Sequence, residues 1–266
     1  NLAASTITDS STGTTTASIT TDVAGNDDFS TVGTDSVVHT VAAGGANTYS
    51  YANGTSVTLG VDPAAAITID IDDDSAATTL DGSLNLILSA NTTSTVSVEN
   101  TLDQIDTLNV TASVTQTALD LRADTTATTG DTVNISGGAG VNVTMAGTAT
   151  ALNLIATGMS GVLTAAATNA TINNITGGAG QDSLTLAVND ANTSINGGAG
   201  NDSLIGGGGA YAATQTIDGG TGTNTFTAVA ADDVSAATFQ NINLVTNPGA
   251  FTLSEAQATA GMVFTG

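Results

Sequence analysis

This chain has no cysteine, no tryptophan and no lysine, and carries one arginine, one histidine and two prolines among 266 residues. Each shortage removes a class of molecule. Without cysteine there are neither disulfides nor a thiolate metal site. Arg122 stands alone against 24 Asp and Glu, giving a net charge of −23 and a pI of about 4.1. Such a chain cannot neutralise phosphates by counterion release, so nucleic acid is excluded as a partner. An anionic membrane surface is excluded on the same ground. No apolar run reaches the roughly 18 residues of a membrane span, so membrane insertion is not expected. Aromatic residues are only 3 % of the chain.

What remains is 40 % hydrophobic, mainly Ala, Val, Leu and Ile, in segments rich in Thr, Ser, Asn and Gly. High net charge with few aromatics is the usual composition of disorder. Here apolar residues alternate regularly and β-branched residues abound, so packed β-structure is the expectation. The acidity has two readings, solubility through self-repulsion or carboxylates that serve as ligands for hard divalent cations. Clustering of the carboxylates and the prevalence of Asp favour the second. The chain starts at Asn1 without a leader pattern, and reads as processed, as a fragment, or as exported on a C-terminal signal in type I-like fashion.

In chain order, residues 1–22 form an extended Thr/Ser/Ala segment with the character of a strand donated to a neighbouring subunit. Residues 23–63 are a β-rich N-terminal region, expected to be antiparallel or irregular, with Asn53-Gly54 as a hairpin turn. Within it, Gly25-Asn26-Asp27-Asp28 places Asp27 either as a turn residue or as a cation ligand, and His39 reads as a surface strand residue. After Pro63, Ile67, Ile69 and Ile71 alternate with Thr68, Asp70 and Asp72, and Asp74 follows. On a strand this sets isoleucines on one face and Asp70 and Asp72 on the other, as a solvated face or as cation ligands. Ser254–Ala260 reads as one short capped turn, within a C-terminal cap or tail, residues 248–266.

The dominant pattern is a repeat. Ile135, Ile155, Ile175, Ile195 and Ile217 recur at intervals of 20, 20, 20 and 22, each two residues before a Gly-Gly except Ile155, which stands three before Gly158. A fixed period near twenty marks a solenoid. The fold expected is therefore all-β, a parallel β-solenoid over residues 64–247, clearest over 135–241. Its inside would be a ladder of small aliphatics with little room for aromatics, and its edge a ladder of glycine turns. Asp182 and Asp202, one coil apart on that edge, would lie about 4.8 Å from each other. Two carboxylates so close would need a cation between them.

Gly177-Gly-Ala-Gly-Gln-Asp-Ser-Leu184 and Gly197-Gly-Ala-Gly-Asn-Asp-Ser-Leu204 resemble the glycine-rich repeat of RTX proteins, GGxGxDxU. The resemblance implies Ca2+ held between successive turns by Asp side chains and turn carbonyls. Carried onto this chain, it points to Asp182 and Asp202, with Gly177, Ala179, Gly197 and Ala199 offering backbone oxygens and Asn201, Asp218 and Asn224 nearby. Flanking copies carry Asn142 and Asn224 where Asp is expected, and Gly158-Met-Ser-Gly161 has lost the ligand. Asn142, Asp27, Asp70, Asp72 and Asp74 complete the candidates. The Thr/Ala/Gly/Asn bias and stretches such as Ile105–Thr111 also resemble Gram-negative surface-layer proteins with calcium-binding repeats, and large secreted adhesins.

The function expected is a structural, Ca2+-dependent, self-assembling subunit of an extracellular surface layer or filament, at the cell surface or in the matrix. Its partners would be further copies of itself and cell-surface polysaccharide. A calcium-stabilised adhesin is the alternative, although Tyr49, Tyr51, Tyr211, Phe226, Phe239 and Phe251 are too scattered for a sugar-stacking platform. A polysaccharide-modifying β-helix enzyme would need a base and cations that one His and one Arg do not supply. No catalytic residue is assigned.

Overall fold

A computed structural model describes residues 16–21, 27–29, 36–41, 47–52, 54–63, 65–71, 82–98, 105–122, 132–145, 152–167, 172–186, 194–229, 231–246, 251–258 and 261–266. Among these residues there are 23 strands and no helix, running from Thr16–Thr21 to Val263–Thr265. Strands that are odd in chain order form an eleven-stranded sheet, and the even ones together with the last form a twelve-stranded sheet. All strand pairs are parallel. Each coil therefore lays one strand on the first sheet, turns a first corner, lays one on the second, and returns by a second corner. This is a two-sheeted parallel β-solenoid.

Period-2 alternation is what makes it work. A strand such as Thr216–Asp218 or Thr225–Thr227 is only three residues long, with its central residue buried and its flanks partly exposed. Parallel in-register stacking then turns each inward position into a file. On the first sheet one file runs Val133, Leu154, Ile175, Ile195, Ile217, Phe239. Facing it, Ala165, Leu184, Leu204, Phe226 and Val245 stack on the second. All are buried. Outside, amides make their own ladder: Asn109 donates to Asn85 Oδ1 at 3.0 Å, Asn134 to Asn109 Oδ1 at 3.0 Å, and Asn174 to Asn153 Oδ1 at 2.7 Å.

Four details differ from the sequence expectation. A register shift between Leu152 and Asn153 sets Leu154, not Ile155, opposite Ile175, and Val133, not Ile135, opposite Leu154, so Leu154 takes the inward place in the isoleucine ladder and Ile155 lies partly exposed. Asn53-Gly54 is no hairpin turn, because the flanking strands Asn47–Tyr51 and Ser56–Leu59 belong to different sheets. Gly54 instead turns the second corner with φ 79°, its N–H donating to the Ser83 carbonyl. The pairing of residues 36–71 is parallel, not antiparallel, and His39 stands in backbone register with Ile19 and Leu59.

Nor are aromatics kept out of the core. Tyr49, Tyr51 and Phe226 are fully buried, and Phe226, Phe239 and Phe251 cluster at centroid distances of 5.3, 5.8 and 6.1 Å. Phe226 and Phe239 pack edge to face, and Phe251 tilts against both. The expected capped turn at Ser254 does form. Ser254 N–H donates to Gln257 Oε1, and the Gln257 amide donates to the Val234 and Ala237 carbonyls, each at 2.7 Å. Residues 1–15, Asp72 and Asp74 lie outside the described residues.

Candidate metal centre

The first corner carries the glycine turns. Extending the strand register by one residue aligns Val141, Leu163, Asp182, Asp202, Asn224 and Asn243 in one file, with Gln116 below Val141. This slot lies where the chain enters the second sheet. Apolar side chains fill it at Val141 and Leu163. Polar ones at Asp182, Asp202 and Asn224 are buried too, at 1 %, 2 % and 0 % exposure, and only Asn243 at the end of the file is exposed. A buried polar group must find partners, and here it finds them one coil below. Asp182 Oδ1 accepts Leu163 N–H at 2.7 Å, Asp202 Oδ1 accepts Asp182 N–H at 2.8 Å, Asn224 Oδ1 accepts Asp202 N–H at 2.9 Å, and Asn243 Oδ1 accepts Asn224 N–H at 2.7 Å. Gln116 does the same for Thr92 N–H at 2.8 Å.

The second oxygen of each side chain separates the turns. Asp182 Oδ2 accepts Gly178 N–H at 2.6 Å. Asn224 turns its amide nitrogen the other way and donates to the Asn241 carbonyl at 3.0 Å. Asp202 Oδ2 is buried and has no hydrogen-bond partner. A carbon placed on Gly197 would stand 2.5 Å from this oxygen and 2.6 Å from the Gly219 carbonyl oxygen. Gly219 is to Asp202 what Asn241 is to Asn224, one coil on. Two acceptors therefore face each other at Asp202, in the arrangement that a donor bridges at Asn224. Of the two carboxylates in this file, Asp202 is the one whose second oxygen lacks a donor.

The electrostatics agree. Burial pushes the Asp202 carboxyl up to about 6; the Asp182 N–H bond opposes this and the nearby Asp182 charge adds to it. Burial also raises Asp182, against the N–H bonds from Leu163 and Gly178.

Glycine is required at this corner for packing as well as for conformation. Gly198, Gly200, Gly220 and Gly222 have φ of 91°, 131°, 75° and 123°. A side chain on Gly200 would collide with the Gly180 carbonyl oxygen. The turns stack backbone on backbone with no room for a Cβ.

The remaining candidates do not join this slot. A one-residue slip in register flips a side chain to the other face, and Asn142 has slipped so: Val141 takes the inward slot while Asn142, exposed, donates to the Thr117 carbonyl at 2.9 Å. Exposed Asn201 accepts Thr223 N–H at 2.8 Å. Asp218 precedes the next turn, its oxygens taken by Gly220 N–H and by the Asn241 and Gln240 amides at 2.8, 2.7 and 2.8 Å. Burial raises the Asp218 carboxyl, but these hydrogen bonds outweigh it and hold the group below its ordinary value. Ala179 and Ala199 are exposed, their N–H groups bonded to the Met159 and Gly178 carbonyls. Asp27 and Asp70 lie on strands in backbone register with Tyr49 and Ser50, far along the chain from this corner. Among the described residues no three His, Cys, Asp or Glu gather into one cluster, so a cation at Asp202 would draw on backbone carbonyls.

One buried carboxylate escaped the sequence reading. Asp232, at 0 % exposure, lies on the second corner. It accepts Val229 N–H and Gly208 N–H at 2.7 Å each and the Tyr211 hydroxyl at 3.0 Å. Tyr211 Oη in turn accepts Gly207 N–H at 2.8 Å. Burial raises the Asp232 carboxyl and, with the Asp232 charge beside it, the Tyr211 hydroxyl as well. With three donors this carboxylate is satisfied by the protein alone and calls for no cation. The signal was the glycine run Gly206–Gly209 one coil before an Asp, whereas at the first corner the glycines and the Asp share one turn. No protein-family model, curated protein or solved structure matches the chain.

Proposed function

We propose that this chain is a structural subunit of an extracellular surface layer or filament, with Ca2+ bound at the first corner and required for folding and self-assembly. The observation that carries the reading is Asp202 Oδ2, a buried carboxylate oxygen without a donor, facing a backbone carbonyl inside a stack of glycine turns. Hard oxygen ligands of this kind suit Ca2+. Asp202 Oδ2 and the Gly219 carbonyl would hold the ion, which would supply the positive charge that the slot lacks and tie one coil to the next.

The −23 charge supports the same reading. Carboxylates so numerous and so free of cationic partners repel one another, and divalent cations relieve that repulsion within and between copies. Partners in this reading are further copies of the chain and cell-surface polysaccharide. The adhesin alternative gains little: Tyr49, Tyr51, Tyr211, Phe226 and Phe239 are core residues and offer no stacking platform to a sugar.

The experiment is a calcium titration of the purified chain, followed by circular dichroism for β-structure and light scattering for assembly. The reading expects both signals to rise between excess chelator and millimolar calcium. Identical signals across that range would overturn it.

A further inference from the structure

The two turns Gly177–Leu184 and Gly197–Leu204 share the pattern GGAGxDSL, yet only the second leaves its carboxylate short of a donor. The cause lies one residue before the glycines. Asn196 Oδ1 accepts Gly198 N–H at 2.9 Å, an Asx turn that holds Gly198 at φ 91°. Thr176 stands at the same place in the first turn, and there the matching N–H, of Gly178, goes to Asp182 Oδ2 at 2.6 Å. The third turn repeats the rule: Asp218 Oδ1 accepts Gly220 N–H at 2.8 Å, Gly220 has φ 75°, and Asn224 in the slot receives nothing from that glycine. An Asx residue before the glycines diverts the second glycine's N–H away from the slot, whereas threonine leaves it there.

We infer that Asn196 is the residue that makes the second turn a cation site, and that this corner binds one divalent ion, at Asp202 and not at Asp182. The inference rests on the calcium reading above and deepens it. Asn196 is a positioning residue: it touches no ion, and acts by removing the one N–H that would otherwise neutralise Asp202 Oδ2. Asp182 has the same glycines around it but is saturated, since both its oxygens accept backbone N–H groups. Asn224 is filled by its own amide. The slot at Asp202 alone combines a negative charge with a missing donor.

The test is calcium calorimetry on the full chain, with terbium luminescence as a second readout and circular dichroism as the check on folding. The two variants that test the role of Asn196 leave both carboxylates unaltered. Asn196→Thr is expected to return Gly198 N–H to Asp202 and to weaken the corner site at least about tenfold, with β-structure retained in chelator. Thr176→Asn is expected to open a second site at Asp182, raising the number of bound ions by one. Should Asn196→Thr prove too unstable to measure, the gain of an ion in Thr176→Asn decides alone. Unchanged binding in Asn196→Thr, or no added ion in Thr176→Asn, overturns the inference. If Asp202→Asn binds calcium as the unaltered chain does, the calcium reading of this corner falls, and this inference with it. If Asp202→Asn loses the ion while Asn196→Thr keeps it, only this inference fails.

Discussion

The turns at Asp182 and Asp202 are nearly identical in sequence, lie one coil apart, and are in different electrostatic states. Asp182 is a finished structural carboxylate, holding the Leu163 and Gly178 N–H groups. Asp202 holds the Asp182 N–H, and its other oxygen, buried beside the Gly219 carbonyl, has no donor. A motif places a carboxylate in a buried slot; whether that carboxylate needs a cation depends on how many backbone donors reach the slot. Asp232 on the opposite corner makes the same point, since three donors complete it.

The comparison can be broken first at its glycines. Gly200→Ala is expected to cost about 3 kcal/mol or more, because the new Cβ meets the Gly180 carbonyl and φ is 131°. Gly180→Ala, which meets the Gly161 carbonyl but lacks the positive φ, should cost about 1 kcal/mol less. Denaturant unfolding of the two variants side by side measures the difference.

Carboxylate-to-amide changes come next, with opposite signs. Asp182→Asn or Asp232→Asn would set an NH2 group against an N–H donor and lose charge-assisted bonds, at about 2 kcal/mol each. Asp202→Asn should be neutral or stabilising by up to about 1 kcal/mol in chelator, because its amide can donate to the Gly219 carbonyl as Asn224 does to Asn241. Thermal unfolding in chelator separates the two signs.

The pH dependence is subtler. Asp202 has an ordinary value of 3.8 and is raised to about 6 in the fold. Between about pH 4 and 6 the folded chain therefore keeps a proton that the unfolded chain has released. Without calcium, the contribution of Asp202 should be greatest below about pH 4 and fall as pH rises towards 6, against the opposite slope of Asp218, whose carboxyl is lowered. Burial raises Asp182 and Asp232 too, and their contributions slope as that of Asp202 does. Asp202→Asn should flatten the curve, and a stability profile from pH 3.5 to 7.5 in chelator would show it.

Much of this architecture was legible in the sequence. The twenty-residue recurrence gave the parallel coils, and the paired glycine–aspartate turns led to the corner where Asp182 and Asp202 stack. Other features were hidden for physical reasons. A register shift changes which residue faces inward without changing composition, so Leu154 replaced Ile155 and Val141 replaced Asn142. Asn53-Gly54 suits a corner as well as a hairpin, since both ask for positive φ. The different fates of Asp182 and Asp202 follow from Thr176 and Asn196, which lie outside the eight-residue motif, and only hydrogen-bond geometry connects them to it.

The most direct measurement is the thermal midpoint of the unaltered chain and of Asp202→Asn at pH 7.5, each in chelator and in millimolar calcium. The expected result is a large upward shift with calcium for the unaltered chain and little or none for Asp202→Asn, whose midpoint in chelator is at least as high as that of the unaltered chain. Equal calcium shifts in the two proteins would contradict the assignment of Asp202 as the site.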